Sequence, residues 1–281
     1  MNLPEGLIFS TEVLGQGAFG LVIKAKYYDK DVAVKLTTNQ YTAMCEIKSL
    51  FKVQKHKNVC EMHGWFEDKC DIGVVYGIVT PVYQTTLIDL IEKHGPLCED
   101  NLRATFTQFM RALSHLHKRN IVHCDIKCEN IMFNDNGDPI LIDFGLVNTL
   151  GRAGSVSYCA PEKLTNGGAP DPSADIWSTG VCMFCAVCGF FPFLSADRTD
   201  WRFESINKYQ DNGNFGTCEQ IFHLYKKSVP FNKNLCQVID KMLTICPIYR
   251  GKTFDIMNLP WFRNARSLGN INLSEINEQM S

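Results

Sequence analysis

Over the first third of the chain, apolar residues come in short runs. Residues 9–14, 21–28 and 31–36 are rich in Val, Ile, Tyr and Phe, with turn material at 15–20 and 28–30, which predicts three consecutive strands. Met44, Ile47, Leu50 and Val53 then recur at spacing three and predict a helix. Residues 60–66 and 71–80 read as two further strands. After Pro81 the period changes: Asp100 stands as an N-cap candidate before Leu102, Phe106, Phe109, Leu113 and Leu116, which share one helical face. Residues 173–190 are apolar on most faces, the pattern of an enclosed helix. The order is a small strand-rich lobe, a connection near 80–84, and a larger helical lobe. A cleft between unequal lobes is a natural ligand site.

Composition narrows the class. The 281 residues are 45% apolar and 21% charged, enough apolar material for a substantial core. Lys and Arg number 28 against 30 Asp and Glu, with no block of like charge, so no nucleic-acid surface is advertised. The longest apolar run, 181–194, is shorter than the roughly 20 residues a membrane span needs. The first ten residues lack a basic stretch followed by an apolar one, residue 2 is Asn2, and the last residues hold no Cys for prenylation. A soluble intracellular globule, cytoplasmic or nuclear and monomeric, is the expectation. The 13 cysteines, an odd number, are then expected to be free thiols serving mainly as packing residues. Cys182, Cys185 and Cys188 line one stripe of the apolar helix, where a metal or redox site competes with simple packing; packing is favoured because no His is near.

The chemistry lies in ordered motifs. Gly15-Gln16-Gly17-Ala18-Phe19-Gly20 is followed by strand-like residues rather than by a helix, which disfavours a dinucleotide fold and suits a hairpin whose backbone approaches phosphates. Val32-Ala33-Val34-Lys35 follows, with Glu46 on the next helix as a partner for Lys35. Then come His123-Cys124-Asp125-Ile126-Lys127-Cys128-Glu129-Asn130, Asp143-Phe144-Gly145 and Ala160-Pro161-Glu162. In this order the motifs resemble the signature set of eukaryotic-type serine/threonine protein kinases, over nearly the whole chain. Asp175, Arg250 and residues 259–262 resemble the later elements of that family: the Asp that braces the catalytic loop, the Arg that pairs with Glu162, and the end of the fold.

The resemblance implies an α+β, bilobal kinase domain over 8–263, with the N-lobe at 8–80, a hinge at 80–84, the C-lobe at 85–263 and a polar tail at 264–281. No separate regulatory domain is expected beside it. It also implies ATP and Mg²⁺ as cofactors. Lys35 would hold the α- and β-phosphates and Glu46 would orient it; Asn130 and Asp143 would hold Mg²⁺; Asp125 would accept the substrate proton; Lys127 would steady the γ-phosphate. Gly15, Gly17 and Gly20 would cover the phosphates. Val22 and Ala33 would lie above the adenine and Met132 below it. Val79 would be the gatekeeper, with Thr80-Pro81-Val82 as hinge and the Thr80 and Val82 backbone reading the adenine. Pro81 in the hinge is reminiscent of some herpesviral kinases.

Lys127, two residues after Asp125, and the segment Gly154-Ser155-Val156-Ser157-Tyr158 match the Ser/Thr-directed form, so protein substrates with Ser or Thr acceptors are implied. Glu129 would attract basic residues upstream of the acceptor. Cys124 stands where the family has an Arg that grips a phosphorylated activation segment, and a neutral thiol offers no bidentate phosphate contact. The span from Asp143 to Glu162 is only 20 residues. Activity without activation-segment phosphorylation follows as an expectation. The rival readings are a pseudokinase-type nucleotide-binding scaffold, which predicts loss of Lys35, Asp125, Asn130 or Asp143, and a small-molecule or lipid kinase, which predicts no Ala-Pro-Glu, Asp175 helix or Arg250. All of these residues are present.

Overall fold

The computed structural model describes residues 4–17, 20–53, 55–71, 73–150, 154–165 and 169–263. Residues 264–281, expected to form a polar tail, lie outside them.

Five antiparallel strands form the N-terminal sheet: β1 (Leu7–Gly17), β2 (Gly20–Tyr27), β3 (Lys30–Thr37), β4 (Gly64–Cys70) and β5 (Gly73–Pro81), in the order β1-β2-β3-β5-β4. Alternation gives this sheet two chemically different faces. Ala25, Val32, Val34, Phe66 and Val79 cluster with Leu7 on one of them. The other carries Val22 opposite Lys35, Lys35 opposite Ile78, and Ala33 opposite Thr80. Helix α1 (Gln40–Val53) buries Glu46, Ile47, Leu50 and Val53.

The strand expected at 60–66 begins only at Gly64. Cys60 N–H donates to the Leu141 carbonyl at 2.9 Å and Val59 bridges Leu141, so this stretch joins the C-terminal lobe instead of the sheet.

The helical lobe opens with strand β6 (Thr85–Thr86) and helices α2 (Leu87–His94) and α3 (Glu99–His117). Thr86 and Asp89 close a capping box at the start of α2. The N-cap of α3 is Cys98, not Asp100; Asp100 and Glu99 occupy the first turn, where their charge meets the helix dipole. Strands β7 (Ile131–Phe133) and β8 (Pro139–Leu141) extend β6 into a small sheet beneath the cleft. After α4 (Pro161–Thr165) comes α5 (Pro172–Cys188), capped by the Asp171 side chain and ended by Gly189 in the left-handed region at φ 74°. Its apolar character matches its surroundings, since Ile176, Trp177, Val181, Met183 and Phe184 are fully buried. A Cβ on Gly180 would lie 2.7 Å from the Met242 Cβ, so glycine permits α5 to pack this closely on α8 (Lys233–Met242). The lobe is completed by α6 (Trp201–Asp211), α7 (Thr217–Leu224), α9 (Pro247–Arg250), α10 (Thr253–Met257) and α11 (Pro260–Arg263).

No helix among the described residues is long and apolar enough to cross a membrane.

Candidate active site

Lys35 projects from the inner face of the sheet toward α1. Its Nζ lies 2.8 Å from Glu46 Oε2 and 2.7 Å from Asp143 Oδ1, so one ammonium is shared by two carboxylates from different lobes. Burial opposes charge on Lys35, but the two carboxylates outweigh it and hold the ammonium above the ordinary lysine value. Burial pushes the Glu46 carboxyl up, against the pull of Lys35. For Asp143 burial acts in the same direction, yet the charge and hydrogen bond of Lys35 prevail and hold it low. Asp143 sits at φ 63°, a region that non-glycine residues adopt at a cost. Beside it, Phe144 is fully buried and meets the His123 ring edge-on at 5.0 Å.

The loop from 123 to 130 is held from below by Asp175 of α5. Its Oδ2 accepts from His123 N at 2.9 Å and its Oδ1 from Cys124 N at 3.0 Å. His117 Nε2 lies 2.9 Å from the same Oδ2. On this fixed backbone, with Cys124 at φ 65°, Asp125 is brought to the cleft floor. Three groups converge on its carboxylate: Lys127 Nζ at 2.9 Å and Asn130 Nδ2 at 3.2 Å from Oδ2, and Ser155 N at 3.1 Å from Oδ1. Lys127 also donates to Ser155 Oγ at 3.3 Å. Asn130 spends its Nδ2 on Asp125, which directs its carbonyl oxygen away from that residue. The oxygens of Asn130 and Asp143 are the hard donors that Mg²⁺ prefers, so these residues fit such an ion.

The predicted nucleotide residues divide. Val22, Ala33 and Thr80 share the Lys35 face of the sheet, and Met132 is half-buried on β7 below. Val79 does not join them. It pairs with Val34 and is fully buried in the opposite cluster, because neighbouring strand residues point to opposite faces. The cleft-facing residues of β5 are therefore Ile78 and Thr80, and Val82 lies beyond the strand. Thr80 Oγ1 donates to the Ala33 carbonyl at 3.5 Å.

Among the glycines, a Cβ on Gly20 would lie 2.1 Å from the Leu36 carbonyl oxygen, so its role is structural. A Cβ on Gly15 or Gly17 would meet nothing within 4 Å, so the fold itself places no steric demand there and their backbone faces open space.

Further out, Arg250 is fully buried and donates to Glu162 through both terminal nitrogens at 2.7 and 3.0 Å. Its guanidinium lies 5.0 Å from the Trp177 ring centroid. Glu129 is exposed beside the cleft and accepts from Tyr158 Oη at 3.0 Å. Two features had no clear signal in the sequence: the Tyr158–Glu129 bond and Lys163, which is 5% exposed directly after Glu162.

Cysteine plays a smaller part than its number suggests. Cys182 and Cys185 are buried in the core and Cys188 is half-buried. No group of three or more His, Cys, Asp or Glu among the described residues could hold a metal ion. Cys70, Cys98 and Cys246 are exposed, contrary to the expectation that the remaining thiols pack. Burial, with the charge of Asp175, pushes the Cys124 thiol up to about 12.

A five-stranded sheet over a helical lobe, with a lysine–carboxylate chain crossing the cleft and an Asp braced on the floor, is the two-lobed arrangement of protein kinases. The family model "Protein kinase domain" matches residues 9–262. The chain is 29% identical to a calcium/calmodulin-dependent protein kinase, cmkA, of Emericella nidulans, over 94% of this chain and 64% of that protein. It is 27% identical to the probable serine/threonine-protein kinase MARK-A of Dictyostelium discoideum, over 94% of this chain and 25% of that protein. For MARK-C of the same organism the identity is 30%, over 89% of this chain and 32% of the relative. The chain belongs to the eukaryotic-type serine/threonine protein kinase family. It spans less than two thirds of the length of each of these relatives.

Proposed function

We propose that the protein transfers the γ-phosphoryl group of ATP to Ser or Thr hydroxyls of protein substrates, and that it does so without a phosphate on its own activation segment. The observation that carries this reading is the state of the cleft: Lys35 joins Glu46 and Asp143 while Ser155 is already docked on Asp125, so both halves of the site are in place together.

ATP would supply the phosphoryl group, and Mg²⁺, when bound, would supply positive charge against the charge that develops on it. Asn130 and Asp143 would hold the metal, and Lys35, kept cationic and oriented by Glu46, would bind phosphate oxygens. Asp125 accepts a hydrogen bond from the substrate hydroxyl and then its proton, at the carboxylate that Lys127, Asn130 and Ser155 keep in one orientation. Lys127, within reach of the same carboxylate, steadies the charge that moves past it. Gly15 and Gly17 allow the hairpin backbone to approach the phosphates. Because Thr80 faces the cleft and Val79 does not, Thr80 takes the gatekeeper position at the hinge of 80–84. The adenine-reading backbone then moves one residue along, to the Pro81 carbonyl and the Tyr83 N–H, so the missing N–H of Pro81 is not needed.

Purified protein, treated with phosphatase and then assayed with labelled ATP and a generic basic protein, tests the reading. Transfer by the treated wild type and its loss, by at least a thousandfold, in Asp125→Asn and Asp143→Ala supports it. Nucleotide binding without transfer would favour the scaffold alternative. Activity that disappears with phosphatase and returns on rephosphorylation would remove the claim of phosphate independence.

A further inference from the structure

Lys163 is a lysine one residue after Ala160-Pro161-Glu162, and it is buried to 5% exposure in α4. Its Nζ reaches within 3.5 Å of the Thr149 carbonyl oxygen, 14 residues back along the chain. The contact therefore joins the beginning of the segment that follows Asp143-Phe144-Gly145 to its end.

Each end is separately fastened, one to the residues just before the 123–130 loop and the other to that loop and α5. Asn148 N–H donates to the Val122 carbonyl at 2.9 Å, and its Oδ1 accepts from Val122 N at 2.9 Å. Asn148 Nδ2 reaches the Asn120 carbonyl at 3.2 Å. At the other end, Ser155 bonds to Asp125 and Lys127, and Ser178 Oγ of α5 donates to the Tyr158 carbonyl at 2.8 Å. The fit is close, since a Cβ on Gly154 would lie 2.7 Å from the Cys124 carbonyl oxygen. Lys163 links these two attachments.

Lys163 and Cys124 line the same small cavity, together with Asp125, Gly154 and Ser155. The Cys124 thiol therefore shares this cavity with the Lys163 side chain. A small neutral residue at 124 and a buried cation at 163 are complementary. An arginine at 124 would bring a second cation into a cavity that already holds one, at a cost in repulsion and desolvation.

We propose that Lys163 is a positioning residue for phosphoryl transfer: its buried ammonium ties Thr149 to α4 and so fixes the segment whose Ser155 orients Asp125 and Lys127. The chain thus carries within itself a cation-to-segment contact of the kind that a phosphate-gated segment makes through arginine and an added phosphate. This rests on the kinase reading given above.

The test compares wild type, Lys163→Met and Lys163→Arg by steady-state kinetics and by hydrogen exchange of the intact chain. Methionine keeps the apolar stem and removes the charge. The expected result is a fall in kcat of at least thirtyfold in Lys163→Met with the KM for ATP changed less than threefold. Amide exchange at 146–149 rises while that of α5 stays as in wild type, and Lys163→Arg recovers most of the lost kcat. A Lys163→Met variant within threefold of wild type in kcat overturns the proposal. So does a loss of protection throughout α5, which would make Lys163 a folding residue. Absence of transfer by the wild type in the same assay would instead overturn the kinase function itself, whereas equal transfer by wild type and Lys163→Met overturns only the role of Lys163.

Discussion

Lys35 stands 2.7 Å from Asp143 and 2.8 Å from Glu46, so a single ammonium is shared by two carboxylates, Glu46 buried and Asp143 half-buried. Removing it should do more than abolish transfer. In Lys35→Met, Glu46 and Asp143 face each other without a cation, and each carboxyl's pKa rises above its unfolded value of about 4. Groups raised in the folded state bind protons that the unfolded chain has already released, so stability falls as pH rises. Near pH 4 both are protonated and the variant differs little from wild type. By pH 8 the deficit should reach about 3–5 kcal/mol, the scale of breaking a buried pair. Thermal melts at pH 4.5 and 8 check this, and a deficit independent of pH would contradict it.

Thr80 and Val79 are neighbours on β5 that serve opposite faces of the sheet. Thr80→Ala should enlarge the space beside the adenine and raise use of an ATP analogue bulky at the adenine amine by at least tenfold. Val79→Ala should leave that analogue unused and cost about 2 kcal/mol, because it opens a cavity in the Leu7–Phe66 cluster. Analogue kinetics and denaturant melts on the two variants separate the roles. The opposite assignment of effects would restore Val79 as the gatekeeper.

Thiol chemistry should follow exposure and not proximity to Asp125. With its thiol raised to about 12, Cys124 is almost wholly protonated at pH 8. Brief treatment of the native protein with iodoacetamide should label the exposed Cys70, Cys98 and Cys246 and spare Cys124, as read by peptide mass spectrometry. Rapid labelling of Cys124 would show a reactive thiolate there, against what its burial implies.

How much of this was legible in the sequence depends on the range of the interactions involved. The strands at 21–28 and 31–36 and the helix after Gln40 follow from local alternation and spacing, and their observed bounds are close to the expected ones. The boundary of β4 was not local: residues 59 and 60 pair with Leu141, more than 80 residues on in the chain. That Val79 faces the opposite side of the sheet from Lys35 was hidden for a related reason. Which face a β5 residue occupies is set by its register against β3, and a one-residue shift exchanges the faces. The acidic and basic residues of the site were legible because five motifs recur in one order, whereas Lys163 belongs to none of them. Its importance comes from burial against Thr149, which only the folded chain creates.

Away from the cleft, Asp240 of α8 offers a direct reading of stability against pH. Burial pushes its carboxyl up to about 6, with Glu219 adding to the effect and the Cys218 N–H, 2.7 Å away, opposing it. A carboxyl raised in the folded state favours folding at low pH and loses that advantage as pH rises from about 4 to 6. Asp240→Asn keeps an oxygen for the Cys218 N–H and cannot ionise. It should match wild type near pH 4 and be more stable by up to about 3 kcal/mol at pH 8. Urea melts at the two pH values would show this, and a variant less stable at pH 8 would mean that the charge is needed.

Glu129 is an exposed carboxylate four residues after Asp125, and Tyr158 Oη donates to one of its oxygens at 3.0 Å. The bond fixes the direction of the charge at little cost to it, since Tyr158 is itself buried against Phe191 and anchored to Ser178 through its carbonyl. A fixed anion beside the acceptor site should favour peptides with Arg upstream of the Ser or Thr, through a charge-assisted hydrogen bond of about 1.5–3 kcal/mol. That energy corresponds to roughly a tenfold to hundredfold change in kcat/KM. Glu129→Gln should therefore lose that factor on Arg-containing peptides and lose little on matched peptides with Ala in place of Arg, with the KM for ATP unchanged. Tyr158→Phe, which frees the carboxylate without removing it, should lose only part of the preference. If Glu129→Gln depressed both peptides equally, the residue would be supporting the loop instead of reading the substrate.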